Sequence, residues 1–167
     1  MSETVELQNS AEIAIRPVNL SDSSLLLKWR NHPDVRRWSR NVNEIGADAH
    51  ANWFKSWISE QPKNGFLFVI ELLTTPVGMI RFDLENDKSL EISILVEPNF
   101  QGKGIAKAAI NAAIGEIRVY FPDFTVTASI HKNNSPSIKL FKKLGFEESG
   151  KSGDFLEFFR EFLFEDF

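Results

Sequence analysis

The stretch Val96-Glu97-Pro98-Asn99-Phe100-Gln101-Gly102-Lys103-Gly104-Ile105-Ala106 joins the end of a β-rich run to a long helix through a loop with two glycines. The first four N–H groups of a helix have no partner within it, and the helix dipole favours an anion at that end. Gly102 and Gly104 carry no side chain to hold a ligand away, and Ala106 keeps the next turn open, so backbone N–H groups can reach phosphate oxygens directly. The spacing matches neither G-x-x-x-x-G-K-[ST] nor G-x-G-x-x-G, which argues against nucleotide hydrolysis and dinucleotide redox chemistry. A plain strand-to-helix turn with glycine punctuation is the competing interpretation.

Downstream of this loop, a helix is predicted from about Gly102 to Phe121, with Ile105, Ile110, Ala113, Ile114 and Ile117 on one face and Pro122 as its stop. Thr125–Ile130 is β-rich. Ser135-Pro136 reads as a cap followed by proline in the first turn of a helix that ends at Gly145. The tail with Phe155, Phe158, Phe159 and Phe162 fits a helical period and is also β-prone by composition. Upstream, Phe66–Leu72, Val77–Leu84 and Leu90–Val96 read as a hairpin meander, with loop chemistry at Gln61–Gly65. Before it come a short strand at Ile13–Pro17, a helix capped by Ser21 that stops before Pro33, and a helix over about 46–60. The order β-α-α-β-β-β-α-β-α-β-β indicates an α/β domain with one mixed, mostly antiparallel central sheet and about four helices. Residues 1–11 are expected to be a loose segment and 12–167 a single domain.

Composition narrows the chemistry. The 167 residues include no cysteine, which removes disulfides, thiolate nucleophiles and cysteine-based metal sites. The net charge of -4 does not suit nucleic acid or anionic membrane as a partner. His32, His50 and His131 show no ligand spacing, so no metal is expected. The acidic N-terminus lacks an apolar signal, no apolar run approaches a membrane span, and a cytoplasmic protein, monomer or homodimer, is expected.

The spacing Gln101-x-x-Gly104-x-Ala106 after Val96-x-Pro98 resembles the acetyl-CoA pyrophosphate loop of the GCN5-related N-acetyltransferase (GNAT) superfamily. Asn134-x-x-Ser137-x-x-Leu140-Phe141-x-Lys143-x-Gly145-Phe146 resembles the second signature of that superfamily, so the likeness spans nearly the whole chain. It implies the GNAT fold, makes the Phe-rich tail a strand, and implies acetyl-CoA as donor, CoA as product and direct transfer to a primary amine. Pantetheine would insert between the fourth and fifth strands, held by the backbone of Ile94, Leu95 and Val96, with an N–H near Ile94 polarising the thioester oxygen. Gln101, Gly102, Lys103, Gly104, Ile105, Ala106 and Lys107 would hold the pyrophosphate, and Asn134, Ser137, Phe141 and Lys143 the pantetheine side. Phe141 departs from the superfamily, which often has a tyrosine there to protonate the departing thiolate. Tyr120, the one tyrosine, lies at the far end of the preceding helix.

An attacking amine must be neutral, so a base is expected. Glu91 is the first candidate because the superfamily often places a carboxylate there; a solvated or ion-paired strand carboxylate is the alternative. Asp83 is the second. His50 is the third, set against a packed or acceptor-orienting histidine in an apolar helix face.

For the acceptor, Trp29-Arg30-Asn31-His32-Pro33-Asp34-Val35-Arg36-Arg37-Trp38 with His50-x-x-Trp53-Phe54 resembles the superfamily's nucleotide-sugar branch. Its members acetylate 4-amino sugars on a UDP carrier, as in pseudaminic-acid pathways. Residues 28–40 hold Lys28, Arg30, Arg36, Arg37 and Arg40 against Asp34 alone. Guanidinium forks suit a diphosphate, and Trp29, Trp38 and Trp53 can stack on a uracil or sugar face. Solvated charges and core tryptophans are the bland alternative. The rival acceptor is a peptide N-terminus, since ribosomal-protein acetyltransferases share the Ile15-Arg16-Pro17 opening and an early tryptophan-bearing helix. A non-catalytic acyl-CoA-binding module is a rival of another class, and a nucleic-acid binder a distant third.

Overall fold

The structure, a computed structural model, describes residues 12–166; the segment 1–11 and Phe167 lie outside them. The order is β1 (Ile13–Pro17), α1 (Ser23–Asn31), the one-turn α2 (Pro33–Arg36), α3 (Ala47–Ser59), β2 (Gly65–Leu72), β3 (Thr75–Asn86), β4 (Ser89–Val96), α4 (Ile105–Ile117), β5 (Phe124–His131), α5 (Ser135–Lys143), β6 (Glu147–Ser152) and β7 (Phe155–Phe162). The seven strands form one sheet in the order β1-β2-β3-β4-β5-β7-β6. Every neighbouring pair is antiparallel except β4 with β5. The Phe-rich tail is a strand between β5 and β6, where Phe158 and Phe162 are buried.

The alternation of β5 explains the two faces. Phe124, Val126, Ala128 and Ile130 are buried, and Thr125, Thr127, Ser129 and His131 point the other way. The apolar face packs under α4 and α5, with Ile105, Ile110, Ala113, Ile117 and Phe141 among its partners. On the opposite face a smaller core gathers Leu26 and Trp29 of α1, Phe54 and Trp57 of α3, Leu67 of β2 and Met79 of β3. That second core serves the β2–β3 half of the face. Over β4, β5 and β7 the same face carries Glu91, Ser129 and Glu157, which line or border a cleft.

Three local expectations are corrected. Asn19, not Ser21, caps the N-terminal turn: its side chain accepts from Ser21 N–H while Asp22 accepts from Asn19 N–H at 2.8 Å. Asp22 is held by Arg16 at 2.8 Å, and the helix therefore starts at Ser23. The helix after the glycine loop starts at Ile105 rather than about Gly102, because Gly102 and Gly104 take φ of +75° and +77°, outside the right-handed region. The cap of α5 is Asn134, whose Oδ1 accepts from Ser137 N–H at 3.4 Å; Ser135 is the first helical residue.

Candidate active site

β4 and β5 pair only at Ser89–Thr125, Leu90–Val126 and Glu91–Thr127. Beyond Glu91, β4 stays in register with β3 as far as Val96 opposite Gly78, and β5 stays in register with β7 as far as His131 opposite Phe155. The two halves of the sheet therefore part at Glu91. The edge of β4 facing the opening has no strand partner there among the described residues, and unpaired backbone groups of this kind accept an extended ligand as they would a strand.

The opening is a cleft of about 720 Å³. One wall is Ile92–Val96 of β4, continued by Phe100, Gln101, Gly102, Gly104, Ile105, Ala106 and Lys107 at the start of α4. The other is Ala128–His131 of β5 with Asn134, Ser137, Leu140 and Phe141 of α5 and its cap. Gln101 ties the loop to the strand end by donating from Nε2 to the Val96 carbonyl at 3.0 Å. A Cβ built on Gly102 or Gly104 meets nothing within 4 Å, so the loop leaves an open cradle at the helix N-terminus. That cradle and the partnerless edge of β4 fit a phosphate-bearing, extended ligand such as acetyl-CoA.

At the other end the cleft is lined by Arg30, Arg37, Trp38, Arg40, Arg81, Asp83 and Glu91. Glu91 and Asp83 face each other across β4 and β3, and Arg81 binds Asp83 at 2.9 Å. Burial raises the Glu91 carboxyl above its ordinary range, and the charges of Glu85, Asp83 and Glu157 push the same way against the opposing pull of Arg40. Arg37 lies over the Trp38 ring at 4.8 Å, and Trp38 stands 5.5 Å from the His131 ring. Burial and the neighbouring Arg81 and Arg36 charges lower the Arg30 guanidinium, whose Nη2 donates to the Asn41 carbonyl at 2.9 Å.

Several residues singled out by sequence do not line the cleft. His50 is buried, donates from Nε2 to the Ser23 carbonyl at 3.0 Å and stacks on Phe54. Its burial lowers it from its ordinary value, with the Ser23 contact opposing. Trp29 is a core residue whose indole N–H points at Glu97 at 3.4 Å, and Trp53 packs beside His50 and Trp57. Asn31 exchanges hydrogen bonds with Ile45 at 2.8 and 2.9 Å, and Arg36 reaches the Val42 carbonyl at 3.2 Å and Glu44 at 3.6 Å, so both staple the 31–45 loop. Lys103 sits over Phe100 at 5.4 Å, and Lys143 lies in the last turn of α5. Phe141 does line the cleft, but its ring is buried edge-on against Phe146, and Tyr120, exposed in the turn after α4, lies against Phe66 away from the cleft. Arg81, Ser129, His131 and Glu157 were not selected from sequence; each belongs to a strand whose register alone brings it here.

The sheet parts beside an open helix N-terminus, with a half-buried carboxylate at the apex, so one cleft has a phosphate-sized cradle at one end and charged side chains at the other. Residues 12–147 match the family described as acetyltransferase (GNAT) domain, and the chain belongs to that family. It is an acetyl-CoA-dependent N-acetyltransferase. Acetyltransferase PseH of Campylobacter jejuni subsp. jejuni is 27% identical over 154 residues, covering 90% of each chain. A domain from Methanocaldococcus jannaschii superposes with a TM-score of 0.78 at 25% identity, over 90% of this chain and 98% of that one. Spermidine N-acetyltransferase from Vibrio cholerae, in complex with CoA and spermine, has a TM-score of 0.80 at 18% identity, over 90% and 96% of the two chains, which shows the shared fold. Among the described residues no helix is long and apolar enough to cross a membrane, and no group of three or more acidic or histidine side chains is placed to hold a metal ion.

Proposed function

We propose that the chain acetylates the 4-amino group of a UDP-linked amino-deoxy sugar in the cytoplasm. The observation that carries this reading is the continuous cleft, which runs from the glycine cradle at α4 past Glu91 to Arg30, Arg37 and Trp38. Acetyl-CoA supplies an acetyl thioester. The amides from Gly102 to Ala106 bind its phosphates, the backbone of Ile94, Leu95 and Val96 aligns its pantetheine, and Asn134 and Ser137 line the opposite wall. Glu91 accepts a proton from the acceptor ammonium; its raised pKa makes it a stronger base than an ordinary glutamate. Arg37, with Arg30 behind it, meets the diphosphate, and Trp38 offers the face on which the uracil or sugar stacks. Holding both substrates in one orientation is worth roughly 7–11 kcal/mol of the barrier in favourable cases. Support for the acceptor comes from the nucleotide-sugar resemblance of residues 29–54 and from the match to PseH along 90% of the chain.

The test is CoA-thiol release from acetyl-CoA with two panels, UDP-4-amino-4,6-dideoxy sugars and peptides with free N-termini. The chain has no cysteine, so a thiol reagent reports product alone. Release with the amino sugars is expected. Release with peptides alone would replace the acceptor and keep the donor site.

A further inference from the structure

Arg40 lines the cleft beside Glu91, the base proposed above for the acceptor's amine. Its Nη1 is 3.5 Å from Glu91 Oε1 and its Nη2 is 3.5 Å from Glu157 Oε1, while Nη2 donates to Ser129 Oγ at 2.7 Å. Ser129 in turn donates to Glu157 Oε1 at 2.8 Å. Two carboxylates from separate halves of the sheet, β4 and β7, thus converge on one cation at the apex of the cleft. The other charges nearby are matched elsewhere. Asp83 is bound by Arg81, whose guanidinium also lies over Trp53 and Trp57 at 5.5 and 5.8 Å. Glu85 accepts from the Ser89 and Thr127 hydroxyls at 2.8 and 3.2 Å.

Arg40 holds the two carboxylates loosely, its close contacts being the Ser129 hydroxyl at 2.7 Å and the Phe155 ring at 5.8 Å. Charge-assisted N–H···O contacts of full strength lie near 2.7–2.9 Å, as Arg16 shows with Asp22 and Glu71 at 2.8 and 2.7 Å. The 3.5 Å contacts of Arg40 belong to a side chain 59% exposed on a loop, where an ion pair is worth little and is readily exchanged. The reaction requires an amine here, and a primary amine in neutral water is mostly ammonium, a cation with three donors that matches two carboxylates and a hydroxyl oxygen.

We propose that Arg40 is a stand-in for the acceptor's ammonium, and that Glu157, together with Glu91, forms the subsite the ammonium takes over when Arg40 swings out. Glu157 positions the amine and Glu91 deprotonates it. In the transfer one N–C bond forms and one C–S bond breaks; of the two protons the ammonium loses, one goes to Glu91 and then to water, the other to the departing thiolate. This deepens the amine-acetylation reading and does not depend on which amine is the substrate.

The test uses the full chain and the variants Arg40→Gln, Glu157→Gln and Glu157→Asp, with the UDP-4-amino-4,6-dideoxy sugar as amine and its 4-hydroxy counterpart as a neutral competitor. Arg40→Gln is expected to lower KM for the amine threefold or more, because an internal competitor is gone. Glu157→Gln is expected to raise it about tenfold while leaving KM for acetyl-CoA and inhibition by the 4-hydroxy compound within twofold; Glu157→Asp recovers part of the loss. The Glu91 carboxyl, followed by 13C NMR in the free protein, should titrate higher in Arg40→Gln and lower in Glu157→Gln. A higher amine KM in Arg40→Gln, an unchanged one in Glu157→Gln, or a Glu91 titration unmoved by either variant overturns the proposal. If wild type does not release CoA with the amino sugar, the acceptor assignment fails by itself. The same variants are then judged on peptide N-termini and, with neither acceptor active, on the Glu91 titration.

Discussion

Glu91 and Thr127 are the last residues paired between β4 and β5, and from them onward the two strands diverge. The carboxylate therefore stands at the apex of the cleft, close enough to the core to be half-buried and close enough to solvent to exchange a proton. Position and raised pKa follow from the same feature, since the strand that seats Glu91 is also the strand whose next residues lose their partner.

Replacing Glu91 by Gln keeps the shape and removes the proposed base. Turnover is expected to fall by about 10²–10⁴, the range for loss of a positioned general base, with the Kd for acetyl-CoA within twofold of wild type. A base works deprotonated, and the Glu91 pKa is raised, so the acid limb of kcat/KM should lie above the ordinary glutamate range in wild type and vanish in Glu91→Gln. A variant that keeps wild-type turnover removes Glu91 as base and leaves Asp83, already bound to Arg81, as the next candidate.

Gly104 separates backbone strain from ligand contact. Its φ of +77° costs an alanine roughly 1–2 kcal/mol, yet an added Cβ meets no protein atom within 4 Å. Gly104→Ala should lower stability by about that amount and raise KM for acetyl-CoA at least tenfold, because the methyl would enter the open cradle proposed for the phosphates. Gly115→Ala, in the last turn of α4 with equal space and no left-handed φ, should gain up to roughly 0.5–1 kcal/mol with unchanged kinetics. Equal kinetics in both variants would detach the loop from donor binding.

Much of the cleft wall proposed for the donor was legible because it is local. The two glycines, the strand before them and the helix after them are contiguous, and their spacing alone defines an open helix start. The acceptor half is assembled by register. Arg81, Ser129 and Glu157 come from three strands and meet only because β3 pairs with β4, and β7 with β5. A phenylalanine-rich segment gave no sign that Glu157 would face a cleft. His50, Trp29 and Trp53 carried a chemical signal, but which side of a helix is buried depends on what the sheet offers it, and here Leu67 and Met79 drew those side chains toward the second core. The cap misassignments have the same origin: Asn19 and Ser21 are both competent caps, and the ion pair of Asp22 with Arg16 selects Asn19.

His50 is expected to be structural. His50→Ala removes the donor to the Ser23 carbonyl and the ring against Phe54, which should cost about 2–4 kcal/mol by loss of buried volume and of the hydrogen bond. Activity of the folded variant at pH 7.5 should stay within about threefold of wild type. Burial depresses the His50 pKa below 6.5, so the unfolded chain binds the extra proton more readily than the native one. Its contribution is complete above about pH 6.5 and declines as the pH falls below that value. Urea titrations between pH 5 and 7.5 should give a shallower pH dependence in His50→Ala; a large loss of kcat in a stably folded variant would return His50 to the chemistry.

Arg37 tests the diphosphate. It is 60% exposed on its side chain and rests on Trp38, so its removal disturbs little else. Arg37→Ala should raise KM for a UDP-linked acceptor tenfold or more, leave KM for acetyl-CoA unchanged, and flatten the rise of acceptor KM with salt. An unchanged acceptor KM would take the diphosphate away from this face.

Phe141 tests whether the departing thiolate needs an acid from the protein. The ring is 2% exposed, edge-on to Phe146 at 4.9 Å, and borders the cleft, so a tyrosine there would place its hydroxyl beside the donor or bury it. A thiol with a pKa near 8.5 leaves as a tolerably stable anion, and water can protonate it after the C–S bond has broken. Phe141→Tyr is therefore expected to change kcat by less than about threefold, with a stability loss of roughly 1–3 kcal/mol if the hydroxyl finds no partner. A gain of tenfold or more, with a new basic limb in kcat near the tyrosine pKa of about 10, would mean that proton delivery limits the natural protein.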